Sequence, residues 1–159
     1  MRGRRTRGRA LVRLKARRFY RVSGTKKWTA YYDGDQRFNF KREDTRTSYL
    51  AQDIRTCVRE VRARGIALLA TAYAAPVEVT LAVWDLRQPK SELDAGIAPL
   101  VRGLRHHPLV KRLGSRARKA GIHGILYESV RTPGKACLAV FLENVEPRRF
   151  RKGTWKPLP

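Results

Sequence analysis

Glu60 is the first residue in this sequence whose position hints at chemistry. Within Thr45–Arg64, the residues Ala51, Ile54, Cys57 (or Val58) and Val61 fall at the three/four spacing of one apolar helical stripe. A turn of about 100° per residue puts Glu60 beside that stripe, at its boundary and not at the centre of the solvent face. A carboxylate there either looks into a cleft or belongs to a surface charge mosaic with Arg59, Arg62 and Arg64. Arg21 poses a similar choice. It lies inside the strand-like run Phe19-Tyr20-Arg21-Val22, facing outward or aimed at an anion, since its planar fork of donors suits a carboxylate or a pyrophosphate. Arg37, Tyr49 and Ser129 complete a scatter of polar residues on short apolar runs, which spacing alone does not single out.

Several familiar chemistries are excluded. Neither glycine-rich phosphate loop is present, nor is the Gly-x-Ser-x-Gly elbow of hydrolases. Cys57 and Cys137 stand 80 residues apart in apolar surroundings and read as small core residues. His106 and His107 are adjacent, and His123 stands apart, so no metal site is expected. No apolar run is long enough to span a membrane, and the basic N-terminus has no apolar signal segment. A cytoplasmic protein without membrane partners is expected.

The 159 residues suffice for one domain with a real core. Lys and Arg number 36 against 13 Asp and Glu, a formal net charge of +23. Such a field attracts polyanions: nucleic acid, phosphate-bearing small molecules or an acidic protein. The charge is concentrated at both ends. Residues 1–15 read as a basic arm, disordered at least through Arg9, and residues 146–159 as a basic tail with Pro147, Pro157 and Pro159. Both ends could bind phosphates without reading sequence.

Between them, residues 16–145 alternate strand and helix signals. Strands are expected at Phe19–Val22, Arg37–Phe40, up to Leu50, and over Val77–Trp84, which alternates cleanly. The loop between Ser23 and Gln36 carries Trp28, Tyr31 and Tyr32, a weight of aromatics that suits a ligand lid. Asp53 is placed to cap the helix that carries Glu60 or to complement its first turn. Ile66–Tyr73 reads as a strand or a second helix. Ser91–Leu104 is expected to be helical, with Ser91 as N-cap and Pro99 kinking or splitting it. A basic helix over Leu109–Ala120 should stop at Gly121. The runs Gly124–Val130 and Ala136–Leu142, joined by Thr132-Pro133-Gly134-Lys135, form the clearest hairpin, with Pro and Gly at the central positions of a type II turn.

The order of these blocks resembles the RES domain family. The blocks are Phe19-Tyr20-Arg21-Val22, Arg37-Phe38-Asn39, Ser48-Tyr49-Leu50-Ala51 leading to Arg59-Glu60-Val61, Trp84-Asp85-Leu86, and Gly121–Ser129 with the hairpin that follows. The arginine, glutamate and serine for which the family is named match Arg21, Glu60 and Ser129. The resemblance covers roughly Ala16 to Glu143. It implies an α+β, ADP-ribosyltransferase-like fold of small mixed or antiparallel sheets with flanking helices, in which 16–145 is the NAD-binding catalytic domain. It further implies NAD as substrate, no metal, and the role of toxin in a bacterial toxin–antitoxin pair, with an antitoxin covering the cleft. The reaction would be cleavage of the nicotinamide–ribose bond by phosphate or water, or transfer of ADP-ribose to a protein. Glu60 would then support the developing positive charge, and Arg21 and Arg37 would hold the pyrophosphate. Tyr49 would pack on the nicotinamide or its ribose, Ser129 would hydrogen-bond there, and Tyr20 would support the pocket. A nucleic-acid-binding module without catalysis is the alternative.

Overall fold

The computed structural model describes residues 11–26, 28, 37–38, 46–63, 72–87, 92–101 and 107–158. Two long strands dominate it, β1 (Leu11–Ser23) and β3 (Tyr73–Asp85). They pair antiparallel along their whole length, from Leu11 opposite Trp84 to Ser23 opposite Tyr73, with a bulge between Leu14 and Arg17. Ala16 takes a φ of 47° in that bulge and donates its N–H to Thr80 Oγ1.

Three shorter strands close the arrangement. β2 (Thr47–Ala51), β4 (Gly124–Glu128) and β5 (Ala136–Phe141) extend the sheet in the order β1-β2-β5-β4-β3, and the β1–β3 pairing turns that path into a ring. Among the described residues only β3–β4 is a parallel pair. The architecture is therefore one mixed sheet closed on itself. Alternation divides the apolar residues by face. Leu14, Phe19, Leu50, Val79, Leu126 and Leu138 pack inside the ring, whereas Val22, Ala51, Trp84, Tyr127 and Ala139 line its outer side beneath the helices.

Those helices are α1 (Ile54–Ala63), α2 (Glu92–Val101) and α3 (Pro108–Lys119). In α1, Ile54, Cys57 and Val58 join the outer core. Ala51, expected to head that stripe, instead ends β2 opposite Cys137. Asp53 caps α1 through Oδ1, which accepts the Thr56 N–H at 2.7 Å. Burial disfavours the charged carboxyl, but the Thr56 bonds and nearby Lys135 outweigh it and hold Asp53 below the usual carboxylate range. α2 runs through Pro99, with Ile97 and Val101 buried; Ser91 and residues 102–104 of the expected helix lie outside the described residues. α3 begins at Pro108, where His107 Nδ1 accepts the Leu109 N–H, and ends before Gly121 at a φ of 73°.

Other expectations are revised. Arg37 and Phe38 form a turn and not a strand, because Phe38 gives its N–H to the Tyr49 hydroxyl and its carbonyl to Arg118, side chains and not a neighbouring strand. Trp28, from the loop expected to suit a ligand lid, packs edge-on against Phe150 and tilted against Trp155, with centroids 6.0 and 4.8 Å apart. The stretch read as a basic tail is folded onto β3. There β6 (Phe150–Lys152) and β7 (Lys156–Pro157) pair with Val77–Val79 and Tyr73–Ala74, and Phe150 is buried in the inner core. Residues 1–10, Tyr31, Tyr32 and 64–71 lie outside the described residues, while Leu11–Lys15 of the expected arm belong to β1.

Candidate active site

β1 and β2 meet at Tyr20 opposite Ala51, and a cleft opens at this seam. Its walls include Arg21, Tyr49, Leu50, Glu60, Tyr127 and Cys137, so inner-face and outer-face residues both reach it. Three sequence-distant elements converge here: the C-terminal end of β1, α1, and the base of the β4–β5 hairpin.

The hairpin delivers Ser129, which follows the last residue of β4. The Thr132–Lys135 turn is closed by Lys135 N–H donating to the Thr132 carbonyl at 3.1 Å, with Gly134 at a φ of 82°. The backbone N–H of Ser129 donates to the Lys135 carbonyl at 2.8 Å. Its hydroxyl oxygen accepts the N–H groups of Arg131 and Thr132 at 3.2 and 3.1 Å and donates its own proton to Glu60 Oε1 at 2.5 Å. Two N–H donors occupy the oxygen, so the hydroxyl proton has one good direction left, toward the carboxylate. Glu60 Oε1 also takes a longer bond from the Arg131 N–H at 3.4 Å, while Oε2 has no partner among the described residues. Glu60 is half-buried and Ser129 is buried. The boundary position read from the helical spacing thus becomes a cleft wall.

Arg21 is 4% exposed, and Nη1 donates to Ser48 Oγ of β2 at 3.2 Å across the seam. A guanidinium this deep in a seam brings fixed positive charge to the cleft wall. Tyr49 lines the cleft, and its hydroxyl accepts the Phe38 N–H at 3.3 Å. Arg37 lies behind that wall. Its guanidinium sits 5.4 Å from the Tyr127 ring centroid, it is 8% exposed, and Nε and Nη1 are buried without a hydrogen-bond partner. Buried, unpaired guanidinium donors are costly, which makes Arg37 a candidate anion ligand. Tyr20 is half-buried and is not among the residues lining the cleft; alternation along β1 turns it away from the side that Arg21 takes.

Residues not singled out from the sequence hold this geometry. Gln52 extends the β2–β5 ladder: its N–H donates to the Ala136 carbonyl, and its Oε1 accepts the Ala136 N–H at 2.6 Å, fixing the entry to α1. Arg118 of α3 reaches three separate segments. Its Nε meets Glu143 at 2.7 Å, Nη1 the Phe38 carbonyl and Nη2 Thr47 Oγ1, each at 2.5 Å, and its guanidinium lies 4.2 Å from the Phe141 centroid. Phe38 also approaches Gly114 so closely that a Cβ there would collide with the Phe38 carbonyl. Arg118, Gly114 and Tyr49 together fix the turn that carries Arg37. No signal in one sequence marks such contacts, because each partner is far away along the chain.

Cysteine chemistry is disfavoured at this cleft. Burial, with Glu60 and Cys57 nearby, pushes the Cys137 thiol far up, so it stays protonated. Among the described residues no group of His, Cys, Asp and Glu could hold a metal ion, and no helix is long and apolar enough to cross a membrane.

Comparison with known proteins bears on the fold and the family. No curated protein matches the sequence. The fold is similar to that of a chain in the crystal structure of the M. tuberculosis MbcT–MbcA toxin–antitoxin complex, with a TM-score of 0.73 at 18% identity. That similarity covers 96% of this chain and 87% of the other. Residues 10–154 match the RES domain, nearly the whole chain including β6 and the first residues of β1. The chain belongs to the RES domain family.

Proposed function

We propose that this protein is an NAD-consuming toxin of a toxin–antitoxin pair, with the ADP-ribosyltransferase-like fold its family suggests, that cleaves the nicotinamide–ribose bond at the β1–β2 seam. The observation that carries the reading is the hydrogen bond from Ser129 to Glu60 Oε1, which orients a carboxylate at the cleft wall and leaves Oε2 without a partner among the described residues. As the bond breaks, nicotinamide leaves with the electron pair and positive charge develops on the ribose. A fixed carboxylate close to that charge lowers the barrier, as at glycosidic centres. The acceptor then donates its electron pair to the ribose carbon and loses a proton where it carries one. Phosphate, water and a protein side chain all satisfy this chemistry.

Arg21 and Arg37 supply the positive charge that a pyrophosphate needs, Arg37 with two donors unpaired. Tyr49 and Tyr127 offer aromatic surface for the nicotinamide or its ribose. Tyr20 supports the seam through its backbone, which accepts the Cys57 thiol proton at 3.6 Å. An antitoxin that covers the cleft, as expected of a toxin in such a pair, would inhibit by excluding NAD, and the cytoplasm is where NAD is met. Purified protein is incubated with NAD, with and without phosphate, and the products are identified. ADP-ribose-1-phosphate indicates phosphorolysis, ADP-ribose indicates hydrolysis, and a modified protein indicates transfer. Undiminished NAD both with and without phosphate would overturn the reading.

A further inference from the structure

The helices leave part of the ring's outer face open, and that part is basic. At the two ends of β3, Ala74 and Trp84 are buried on this face, but Glu78 is half-buried and Thr80 exposed. Register places Arg18 directly opposite Glu78 on one side and Arg151 opposite it on the other, while Arg13 lies further along opposite Ala82. Opposed residues of antiparallel strands share a face, so Arg13, Arg18 and Arg151 stand on the same open surface, across three strands about 4.8 Å apart. Arg149 joins them by donating from Nη1 to the Thr80 carbonyl at 3.5 Å. Two acids lie near these arginines, Glu78, which pairs with Arg151 at 3.4 Å, and Glu146, which pairs with Arg148 at 2.6 Å beside Arg149.

We propose that this face binds the phosphate backbone of double-stranded nucleic acid without reading its sequence, a function separate from NAD consumption. Charge complementarity selects a polyanion, and the strip's composition narrows the choice. Protein interfaces are anchored by large aromatic or aliphatic side chains, and between Arg13 and Arg18 on this face there are none. Single strands are held by stacking bases on aromatic rings, and this face carries none between Arg13 and Arg18. Exposed arginines on a rigid sheet suit phosphate oxygens, which position a duplex without specifying bases. The face lies three to eight residues along β1 from Arg21, roughly 10–26 Å from the seam.

The test is fluorescence anisotropy of the full chain with a labelled duplex of arbitrary sequence, titrated over a range of salt. Neutralising Arg13, Arg18 and Arg151 to Gln should weaken binding at least about tenfold at ~100 mM salt and make the log–log salt slope shallower by about 2.7, near 0.9 per phosphate contact. Removing the same charge from α3, by Arg112→Gln, Arg116→Gln and Lys119→Gln, should change both much less; these residues are exposed and lie away from the strip. Both variants should melt with the parent. Absence of duplex binding by the parent would overturn the proposal, as would equal losses in the two variants, which would show diffuse charge at work. Polyglutamate at equal charge should fail to displace the duplex, and displacement would assign the face to an acidic protein instead.

Discussion

Ser129 and Glu60, 69 residues apart in the chain, are joined by a 2.5 Å hydrogen bond from hydroxyl to carboxylate. The bond ties the hairpin base to α1 and fixes the direction in which the carboxylate acts. Under the proposed function, Glu60→Gln keeps the size of the side chain and removes its charge. NAD consumption should fall by about 10²–10³-fold, the scale of losing one electrostatic stabiliser of a transition state, with little change in melting temperature. Near-parental turnover would remove Glu60 from the mechanism.

Ser129→Ala removes the donor to Glu60 and strips the N–H groups of Arg131 and Thr132 of their acceptor. If Ser129 acts by orienting Glu60, kcat should drop roughly 10–100-fold while KM for NAD changes less, and Ser129→Thr should recover part of it. A rise in KM alone would point to substrate binding as its role.

Arg118→Ala should be among the most damaging changes remote from the cleft. It leaves Glu143, Thr47 and the Phe38 carbonyl without their shared partner. The expected loss is about 3–5 kcal/mol in denaturant unfolding, and Arg118→Lys should recover little of it, because a single ammonium cannot reach three directions. Stability within 1 kcal/mol of the parent, on the ~1 kcal/mol scale of one ordinary hydrogen bond, would contradict the bracing role.

Gly114→Ala forces a methyl group against the Phe38 backbone. Because that turn carries Arg37, the change should destabilise the fold by about 1–3 kcal/mol and weaken NAD binding together, read as a lower melting temperature and a higher KM. A lower melting temperature with unchanged KM would separate Arg37 from the substrate.

His123 gives stability a pH dependence. Burial, reinforced by the Arg149 charge and opposed by Glu146, holds its pKa below the ordinary value, and neutral Nδ1 accepts the Ala82 N–H at 3.0 Å. The folded pKa is depressed, so this contribution is complete above the unfolded value of about 6.5 and is lost as pH falls through the lower folded value. Melting temperature should therefore fall more between pH 7.5 and pH 5 in the parent than in His123→Ala. Parallel pH profiles would remove His123 from the linkage.

Local pattern made much of this protein legible. The three/four stripe placed Glu60 beside the core, the Pro-Gly turn defined the hairpin that presents Ser129, and Asp53 marked the start of α1. These features depend on residues within one or two turns of each other, which is the range over which helical and strand periodicity carries information. The apolar alternation of β3 was legible for the same reason. The order of blocks added the family, which near-complete coverage by the RES domain bears out.

What the sequence could not determine is which distant surfaces would meet. The pairing of β1 with β3, which closes the ring and opens the seam at Arg21, joins residues 50 to 73 positions apart in the chain and leaves no local mark. Arg37 looked like a strand residue because Phe38 and Phe40 follow it in alternation, yet Phe38 is a core plug fixed by Arg118 from 80 residues away. Residues 146–158 looked like a solvated tail because arginine and lysine dominate them, whereas Phe150 and Trp155 anchor them onto β3 and Trp28. Charge counts register composition. Only packing decides which few apolar residues bind a basic segment to the core, and hence that its arginines stand in a row with those of β1.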